Sequence, residues 1–297
     1  MLKTRRWTFV FLAFGLAVGS AVTGAGTAAG IPTGDCKPAV PFRADAFPEH
    51  PKIDNKFLPL VPGTQLTLQG QADVGGGLVD HTVVFTVTDV TKVINGVRSV
   101  VVLDEDISQG TLAEREIAFF AQDDSGNVWN TGEYPEEFED GQFVGAPSTW
   151  LTGQQGAQAG IHMLAQPTAF DGFYLQGFSP KIAFLDCAQV VGIDDTQDTC
   201  VPAGCFNPVL ITDETSPLER TDAHQLKYHA PGIGIIKIEP VNDPEGETLV
   251  LTKLTRLSKK ALANASATAL TLDQRAYEFA AQVYGGSSPA TRGDAVA

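Results

Sequence analysis

The feature that most constrains this chain is a long series of short β-type runs separated by turn signals. In residues 81–94, valine and phenylalanine alternate with threonine, so one face of a strand is apolar and the other is polar. Asn95-Gly96 separates this run from a second one at 97–106. Because Asn-Gly between β-type runs is the strongest short-range signal for a type I′ turn, the two runs are predicted to form a hairpin.

The same pattern continues along the chain. Turn sequences at 123–126, 140–141 and 243–246 each lie between β-type runs. The runs from 64 to 257 predict about eleven strands without the spacing of parallel βαβ units. The predicted fold class is therefore all-β, an antiparallel meander that forms a curved half-barrel, a barrel or a sandwich, followed by one short C-terminal helix.

The first 29 residues have the pattern of a secretory signal peptide. Lys3, Arg5 and Arg6 precede an apolar core, and small residues lead to a cleavage-like site at Ala29. The core is shorter than the roughly 20 apolar residues of a membrane span. The sequence thus predicts a secreted or periplasmic product, released by cleavage and without a stable membrane anchor.

The four cysteines are predicted to form two disulfides in an oxidising compartment. Four cysteines allow three pairings. Cys200 and Cys205 flank a turn-forming tetrapeptide, which favours their pairing and leaves Cys36 with Cys187. The chain has no Cys-x-x-Cys motif, so a zinc site is not expected.

The formal charge of −15 limits the partners of the protein. Acidic residues are spread along the chain, so nucleic acid and anionic membranes are repelled, and partners are expected to be neutral, cationic or apolar. Secretion also removes the protein from ATP and free NAD. No cofactor is predicted.

The predicted domain organisation places an N-terminal arm at 30–63 and the β domain at 64–257. A linker and short helix occupy 258–286, where Thr271 and Gln274 form a capping-box pattern and Gly285 can end the helix. Residues 287–297 have no apolar face and are predicted to be disordered.

Residues 151–171 interrupt the strand pattern. They are rich in glycine and glutamine, show weak periodicity, and exceed the roughly 12 to 15 residues of an ordinary connection. We interpret them as a gate over one end of the sheet, with glycines as hinges and Ile161, Met163 and Leu164 as its apolar edge.

No motif assigns a catalytic residue. The turn at 123–127 resembles a calcium loop, but the twelfth position of an EF-hand falls on Pro135, which favours a simple hairpin turn. The run of acidic residues at 133–140 is interpreted as a solvated strand edge. No Gly-x-Ser-x-Gly elbow and no histidine spacing typical of zinc sites is present.

Aromatic residues provide the candidate ligand-binding site. A curved sheet can collect rings on its concave face, whereas the alternative interpretation places them in the core. His162 lies between apolar neighbours in the long connection and can cap a ligand. The predicted ligand-binding residues are Trp129, Trp150, His162, Tyr174 and Tyr228.

Four segments together resemble a family of secreted bacterial proteins of unknown function that are rich in antiparallel strand. They are DNKFLPLVPGT at 54–64, AQDDSGNVW at 121–129, GAQAGIHM at 156–163 and KYHAPGIGIIK at 227–237. The last segment also resembles extracytoplasmic lipoproteins with a curved half-barrel of the lipoprotein-carrier type. Neither resemblance implies catalytic residues.

These observations favour a secreted binding protein for an apolar or amphipathic small molecule or for a cell-envelope partner. Two alternatives remain open. One is an extracellular hydrolase that acts on a saccharide through paired carboxylates, and the other is a structural or adhesive envelope protein.

Overall fold

The computed structural model describes residues 36–73, 76–167, 172–218 and 222–293. The predicted signal peptide lies outside these residues. The described chain contains a short 3-10 helix at Ala44–Ala46 and two helices, α1 at Lys259–Phe279 and α2 at Ala281–Tyr284. The strands are β1 Thr64–Asp73, β2 Leu78–Ile94, β3 Val97–Ser108, β4 Thr111–Gln122, β5 Val128–Glu139, β6 Gln142–Gly145, β7 Trp150–Leu151, β8 Gln158–Met163, β9 Tyr174–Ser179, β10 Phe184–Asp194, β11 Thr199–Val201, β12 Gly204–Phe206, β13 Val209–Thr215, β14 His224–Ala230, β15 Gly234–Val241, β16 Thr248–Arg256 and β17 Thr291–Arg292.

Twelve of these strands form a closed antiparallel barrel. Their order is β1-β16-β15-β14-β13-β10-β9-β8-β5-β4-β3-β2, and β2 pairs again with β1. Closure removes the open edges that a sheet of this width otherwise exposes. The predicted all-β antiparallel fold is confirmed, and of the three predicted architectures the structure has the barrel.

The predicted hairpins are present. Ile94 pairs with Val97 across the turn, and Asn95 and Gly96 have φ values of 47° and 83°, the two positive angles that a type I′ turn needs. The turns at 123–126, 140–141 and 243–246 likewise join β4 to β5, β5 to β6 and β15 to β16. Local turn chemistry therefore specifies the order in which neighbouring strands pair.

The expectation of a gate at 151–171 is wrong for the described part of this segment. Residues 158–163 form β8, which lies inside the sheet between β5 and β9. Ile161, Met163 and Leu164 are buried in the barrel wall. A Cβ on Gly160 would lie 2.3 Å from the backbone of Gln176, so this glycine permits close strand contact and is not a hinge. Residues 168–171 lie outside the described chain.

The predicted C-terminal helix is present but begins earlier than its capping-box pattern indicates. Helix α1 starts after Ser258, whose hydroxyl accepts a hydrogen bond from the Ala261 amide at 3.2 Å. Thr271 lies within the helix, where its hydroxyl donates to the carbonyl of Ala267. The helix packs Ala269, Leu272 and Ala276 against the outer face of the barrel. Tertiary packing thus extends the helix beyond its locally predicted start.

Removing the hydroxyl of each candidate cap residue distinguishes the two possible starts of α1. Ser258→Ala is expected to lower the free energy of unfolding by about 1 kcal/mol, because the first turn loses its side-chain acceptor. Thr271→Ala is the matched control and is expected to change it by less than about 0.5 kcal/mol, as for a surface substitution. Urea unfolding of both variants measures the difference. Equal losses, or a larger loss for Thr271→Ala, would contradict the assigned start.

The predicted disorder of 287–297 is wrong for the described residues of this tail. Strand β17 pairs with Val90 and Thr91 of β2, and Arg292 forms an ion pair with Asp89 at 2.8 Å. The buried Lys92 donates to Asp273 at 2.8 Å and to the carbonyl of Ser288 at 2.8 Å. These long-range polar contacts hold a segment that has no apolar face of its own. Residues 294–297 lie outside the described chain.

The N-terminal arm supplies two separate contacts with the barrel. Phe42 and Phe47 pack on Trp129 on the outside of the wall. Their ring centroids lie 5.4 and 6.1 Å, respectively, from a ring centroid of Trp129. Residues 53–63, which we call the plug, place Ile53, Phe57, Leu58 and Leu60 in the same buried cluster as the inward-facing side chains of the strands. The plug therefore closes one end of the barrel interior, which we call the lumen.

Both predicted disulfides are present. Cys36 is bonded to Cys187, which joins the N-terminal arm to β10, and Cys200 is bonded to Cys205 across the hairpin of β11 and β12. Disulfides persist in oxidising compartments, so they indicate a protein that works outside the cytoplasm. Among the described residues, neither helix is long and apolar enough to cross a membrane.

Candidate functional site

The lumen next to the plug contains an apolar cavity of about 30 Å³. This is room for one or two water molecules. Its apolar lining comes from both the strands and the plug, namely Leu58, Pro59, Leu60, Leu66, Leu68, Phe85, Val87, Phe120, Ile233, Ile235 and Ile238. The volume is small because Leu58 and Leu60 occupy this end of the barrel.

Hydrogen bonds to neighbouring loops and to the end of β4 hold the plug in place. The side-chain oxygen of Gln122 accepts from the amides of Asp54 and Asn55 at 3.0 and 2.9 Å. The buried Asn55 side chain donates to the carbonyls of Gly126 and Leu164. The amide of Gly232 donates to the carbonyl of Lys56. A few side-chain and loop contacts, together with one backbone hydrogen bond from Gly63 to Val87 of β2, therefore hold the plug in the described structure.

Polar side chains meet the inner end of the cavity. Gln225, Lys227 and His229 alternate along β14, so all three point into the lumen. His162 on β8 and Glu247, which precedes β16, complete the polar lining of this end. An apolar cavity with a few convergent polar groups is the usual composition of a small-molecule site.

The cationic groups here are paired or neutral. Lys227 Nζ lies 2.5 Å from Glu214 Oε2, and both side chains are buried. Burial raises the pKa of Glu214, but the Lys227 ammonium outweighs this effect and holds the pKa below its usual value. Burial lowers the pKa of His162 to about 4 and that of His229 to about 3, so both imidazoles are neutral at pH 7.

Beyond the cavity the lumen becomes strongly acidic. Asp104 and Asp106 on β3 stand opposite Glu116 and Glu114 on β4, on the face that continues from the inward-pointing Val102. Glu133 on β5 stands opposite Ala118 on the same face. We call these five residues the acidic cluster. All of them are buried, with at most 8% of any residue exposed.

Burial sets the protonation of the acidic cluster. It raises the pKa of Asp104, Asp106, Glu114 and Glu116 well above the usual range, and repulsion among neighbouring carboxylates adds to the shift. Burial raises the pKa of Glu133 to about 7, although hydrogen bonds from Trp150 and Asn130 favour its ionised form. The cluster therefore holds protons near neutral pH in the absence of a cation.

Several lumen atoms that accept hydrogen bonds have no partner among the described residues. They are both side-chain oxygens of Asp106, one oxygen of Asp104 and the side-chain oxygen of Gln225. The Nδ1 atom of His229 is also unpaired. Buried polar groups are normally hydrogen-bonded, so these acceptors mark a place that a hydrogen-bond donor would stabilise.

The acidic cluster corrects the interpretation of 133–140 as a solvated edge. Glu133 and Glu136 are buried on opposite faces of β5. Glu133 faces the lumen, whereas Glu136 lies under α1, where it accepts from Tyr134 at 2.7 Å and pairs with Arg275 at 2.5 Å. The barrel covers one face and the helix covers the other, which the local sequence does not indicate.

The predicted ligand-binding residues are distributed over different parts of the molecule. His162 lines the cavity, 5.3 Å from the ring of Phe120. Trp150 reaches the acidic cluster, because its Nε1 donates to Glu133 at 2.9 Å. Trp129 and Tyr174 belong to an outer cluster, where Trp129 Nε1 donates to Asp123 at 2.8 Å. Tyr228 is only partly buried, and its hydroxyl donates to Glu239 at 2.7 Å.

The described residues contain no group of three or more His, Cys, Asp or Glu side chains arranged to hold a metal ion. At the 123–127 turn, Asp123 instead accepts from the amides of Ser125 and Asn127. The hairpin-turn interpretation therefore describes this segment.

Sequence reasoning missed the acidic cluster, although a signal was present. Asp104 and Asp106 precede the turn at 109–110, and Glu114 and Glu116 follow it, so a hairpin places all four on one face. The neighbouring run 100–103 is apolar on both faces. The sequence therefore indicated that the four side chains share a face but not that this face is enclosed.

Comparison with protein-family models gives no match, and comparison with curated protein sequences gives none. Two solved structures show a distant similarity to this chain. A proposed lipoprotein from Parabacteroides distasonis has 15% identity and a TM-score of 0.39, and a proposed exported protein with a YmcC-like fold from Bacteroides fragilis has 16% identity and a TM-score of 0.37. Each match covers 68% of this chain and 99% of the other. Similarity at this level assigns no function.

Proposed function

We propose that this protein is an extracytoplasmic binding protein whose barrel lumen takes up a small amphipathic molecule. The observation that supports this proposal is the apolar cavity beneath the plug, with Gln225, Lys227 and His229 at its inner end. Twelve strands enclose a wider interior than the eight whose side chains just fill a barrel. In this protein a loop segment fills part of that interior.

Ligand entry in this proposal requires the plug to move. Leu58 and Leu60 lie on a connection before β1, and no ladder hydrogen bond fixes them to a neighbouring strand. Such a segment can withdraw at a lower cost in free energy than a strand of a closed barrel. The apolar body of the ligand then replaces the two leucine side chains against Leu66, Leu68 and Phe85.

For the alternative of saccharide hydrolysis the lumen offers buried carboxyl pairs, but among the described residues no open cleft reaches them. Asp104 and Glu116, and Asp106 and Glu114, are neighbours on paired strands and face the enclosed lumen. A glycosidase needs its two carboxyls on opposite sides of an accessible bond. Binding is therefore the function that we propose.

Enlarging the cavity tests the proposal. Leu60→Ala is expected to lower the Kd for the neutral fluorescent probe N-phenyl-1-naphthylamine at least tenfold, because it removes a plug side chain from the lumen. The same change lowers the free energy of unfolding by about 2–5 kcal/mol. Fluorescence titration and urea unfolding measure the two effects.

Leu272→Ala is the matched control. Leu272 is as buried as Leu60, at 3% exposure, but lies outside the barrel under α1. Leu272→Ala is expected to lower the free energy of unfolding by a similar amount and to leave the Kd for the probe unchanged. An equal gain in probe affinity in both variants would mean that destabilisation alone increases probe binding. No gain in affinity for Leu60→Ala would refute a lumen site. Native mass spectrometry of the protein from its own source can then identify the bound molecule.

A further inference from the structure

No residue that the structure describes forms an ion pair with the acidic cluster. The cationic Lys227 is paired with Glu214, and the imidazole of His81 lies 3.3 Å from Glu247. Within the described chain, Asp104, Asp106, Glu114 and Glu116 form no salt bridge. A buried group of carboxyls without cations is costly, since each must keep its proton or acquire a positive partner.

The acidic cluster adjoins the proposed ligand cavity. Phe85, which lines the cavity, stands directly opposite Asp104 on the neighbouring strand, and Val83 stands opposite Asp106. Glu247 also lines the cavity and interacts electrostatically with both Asp104 and Asp106. A molecule that fills the cavity can therefore extend a polar group toward these carboxyls.

The unpaired atoms specify the chemistry of that polar group. Asp106, with 1% of its surface exposed, has two oxygens without a hydrogen-bond partner in the described structure. The side-chain oxygen of Gln225 is likewise unpaired, while its amide nitrogen donates to Glu247 at 3.2 Å. An amide oxygen and an ionised carboxylate accept hydrogen bonds, so the matching group is a donor, and a positively charged donor allows the neighbouring carboxyls to release their protons.

We propose that the ligand is an amphipathic amine whose ammonium group binds among Asp106, Gln225 and Glu247 while its apolar body fills the cavity. This inference rests on the proposed function and adds the charge class of the ligand. An ammonium group supplies three N–H donors in a compact volume. A bare metal ion fits less well, because no metal-ligand group is present among the described residues.

Binding of three octyl compounds tests the inference. Isothermal titration calorimetry at pH 7.5 is expected to give n-octylamine a Kd at least tenfold lower than n-octanol, with octanoate weakest. The three share one apolar chain and differ in the charge of the head group. Asp106→Asn is expected to weaken n-octylamine binding at least tenfold and to leave n-octanol unchanged, because asparagine keeps the shape of the side chain but cannot ionise to pair with the ammonium group.

Two controls separate the possible outcomes. Asp124→Asn removes an exposed carboxyl from a hairpin turn and is expected to leave all three affinities unchanged. Leu60→Ala is expected to tighten binding of each compound without changing their order. If n-octanol and n-octylamine bind equally, or Asp106→Asn has no effect, the amine inference is wrong while the binding function stands. If no octyl compound binds the wild-type protein or Leu60→Ala, both proposals are wrong.

Discussion

Raising the pH from 6.5 to 8.5 is expected to lower the melting temperature of this protein by several degrees. The pKa values of Asp104, Asp106, Glu114 and Glu116 are raised by burial in the folded state, whereas the unfolded chain releases these protons near pH 4. The unfolded state therefore binds fewer protons, and the free energy of unfolding falls as the pH rises.

Histidines act in the opposite direction but over a lower pH range. Burial lowers the pKa of His162 and His229, so the unfolded state binds more protons than the folded state up to about pH 7.5, roughly one unit above the ordinary histidine pKa, and this offsets part of the decline at the lower end of the range. Above that pH both states hold neutral imidazoles and only the carboxyls contribute. Each carboxyl that stays protonated in the folded state lowers the free energy of unfolding by about 1.4 kcal/mol per pH unit, or the melting temperature by roughly 3–6 °C for a chain of this size, so a single such group accounts for the expected decline.

A double variant tests whether the acidic cluster causes this pH dependence of the melting temperature. The double variant Asp104→Asn, Asp106→Asn removes two carboxyls that hold protons in the folded state. It is expected to raise the melting temperature at pH 8.5 and to reduce the fall in melting temperature between pH 6.5 and 8.5. Asp124→Asn removes an exposed carboxyl and is expected to keep the wild-type slope. Differential scanning calorimetry from pH 6.5 to 8.5 provides the measurement. An unchanged slope in the double variant would show that the acidic cluster does not govern this dependence.

Gly70→Ala is expected to prevent normal closure of the barrel. Gly70 lies on β1 between Leu249 of β16 and His81 of β2. A Cβ here would lie 1.7 Å from the carbonyl oxygen of Thr248 and 2.7 Å from its carbonyl carbon. Both atoms belong to backbone and cannot rotate away, so we expect a loss of more than about 3 kcal/mol, the upper end of ordinary overpacking.

Gly192 on β10 provides the matched control for Gly70. A Cβ at Gly192 meets nothing within 4 Å. Gly192→Ala is expected to be neutral or to add up to about 1 kcal/mol, because alanine restricts the unfolded chain. Urea unfolding and the yield of folded protein compare the two variants. Equal stability of Gly70→Ala and Gly192→Ala would contradict the tight β1–β16 contact.

The candidate site was only partly predictable. His162 was selected because a polar ring stands between apolar residues, and it does line the cavity. Trp129 was selected because a curved sheet can collect aromatic rings on its concave face, but it packs under Phe42 and Phe47 on the outside of the wall. An aromatic side chain favours burial, but the sequence does not indicate which side of a sheet encloses it.

The sequence by itself determined the local pairing. Alternation and turn residues such as Asn95-Gly96 specify neighbouring hairpins, because backbone sterics act within a few residues. Spacing around a turn likewise predicted the Cys200–Cys205 bond and, by elimination, the Cys36–Cys187 bond. The hairpins and the Cys200–Cys205 bond depend on chain geometry within a short window of sequence, whereas the Cys36–Cys187 bond followed only from the cysteines that remained.

Only the tertiary structure decided which faces are enclosed. Closure of β1 on β2 converts one face of the meander into a lumen, which buries Asp104 and Asp106 together with Val102 on the same strand. Pairing with β5 and β9 likewise makes the glycine-rich β8 part of the wall. Burial depends on contacts between residues far apart in the chain, and local residue patterns do not specify those contacts.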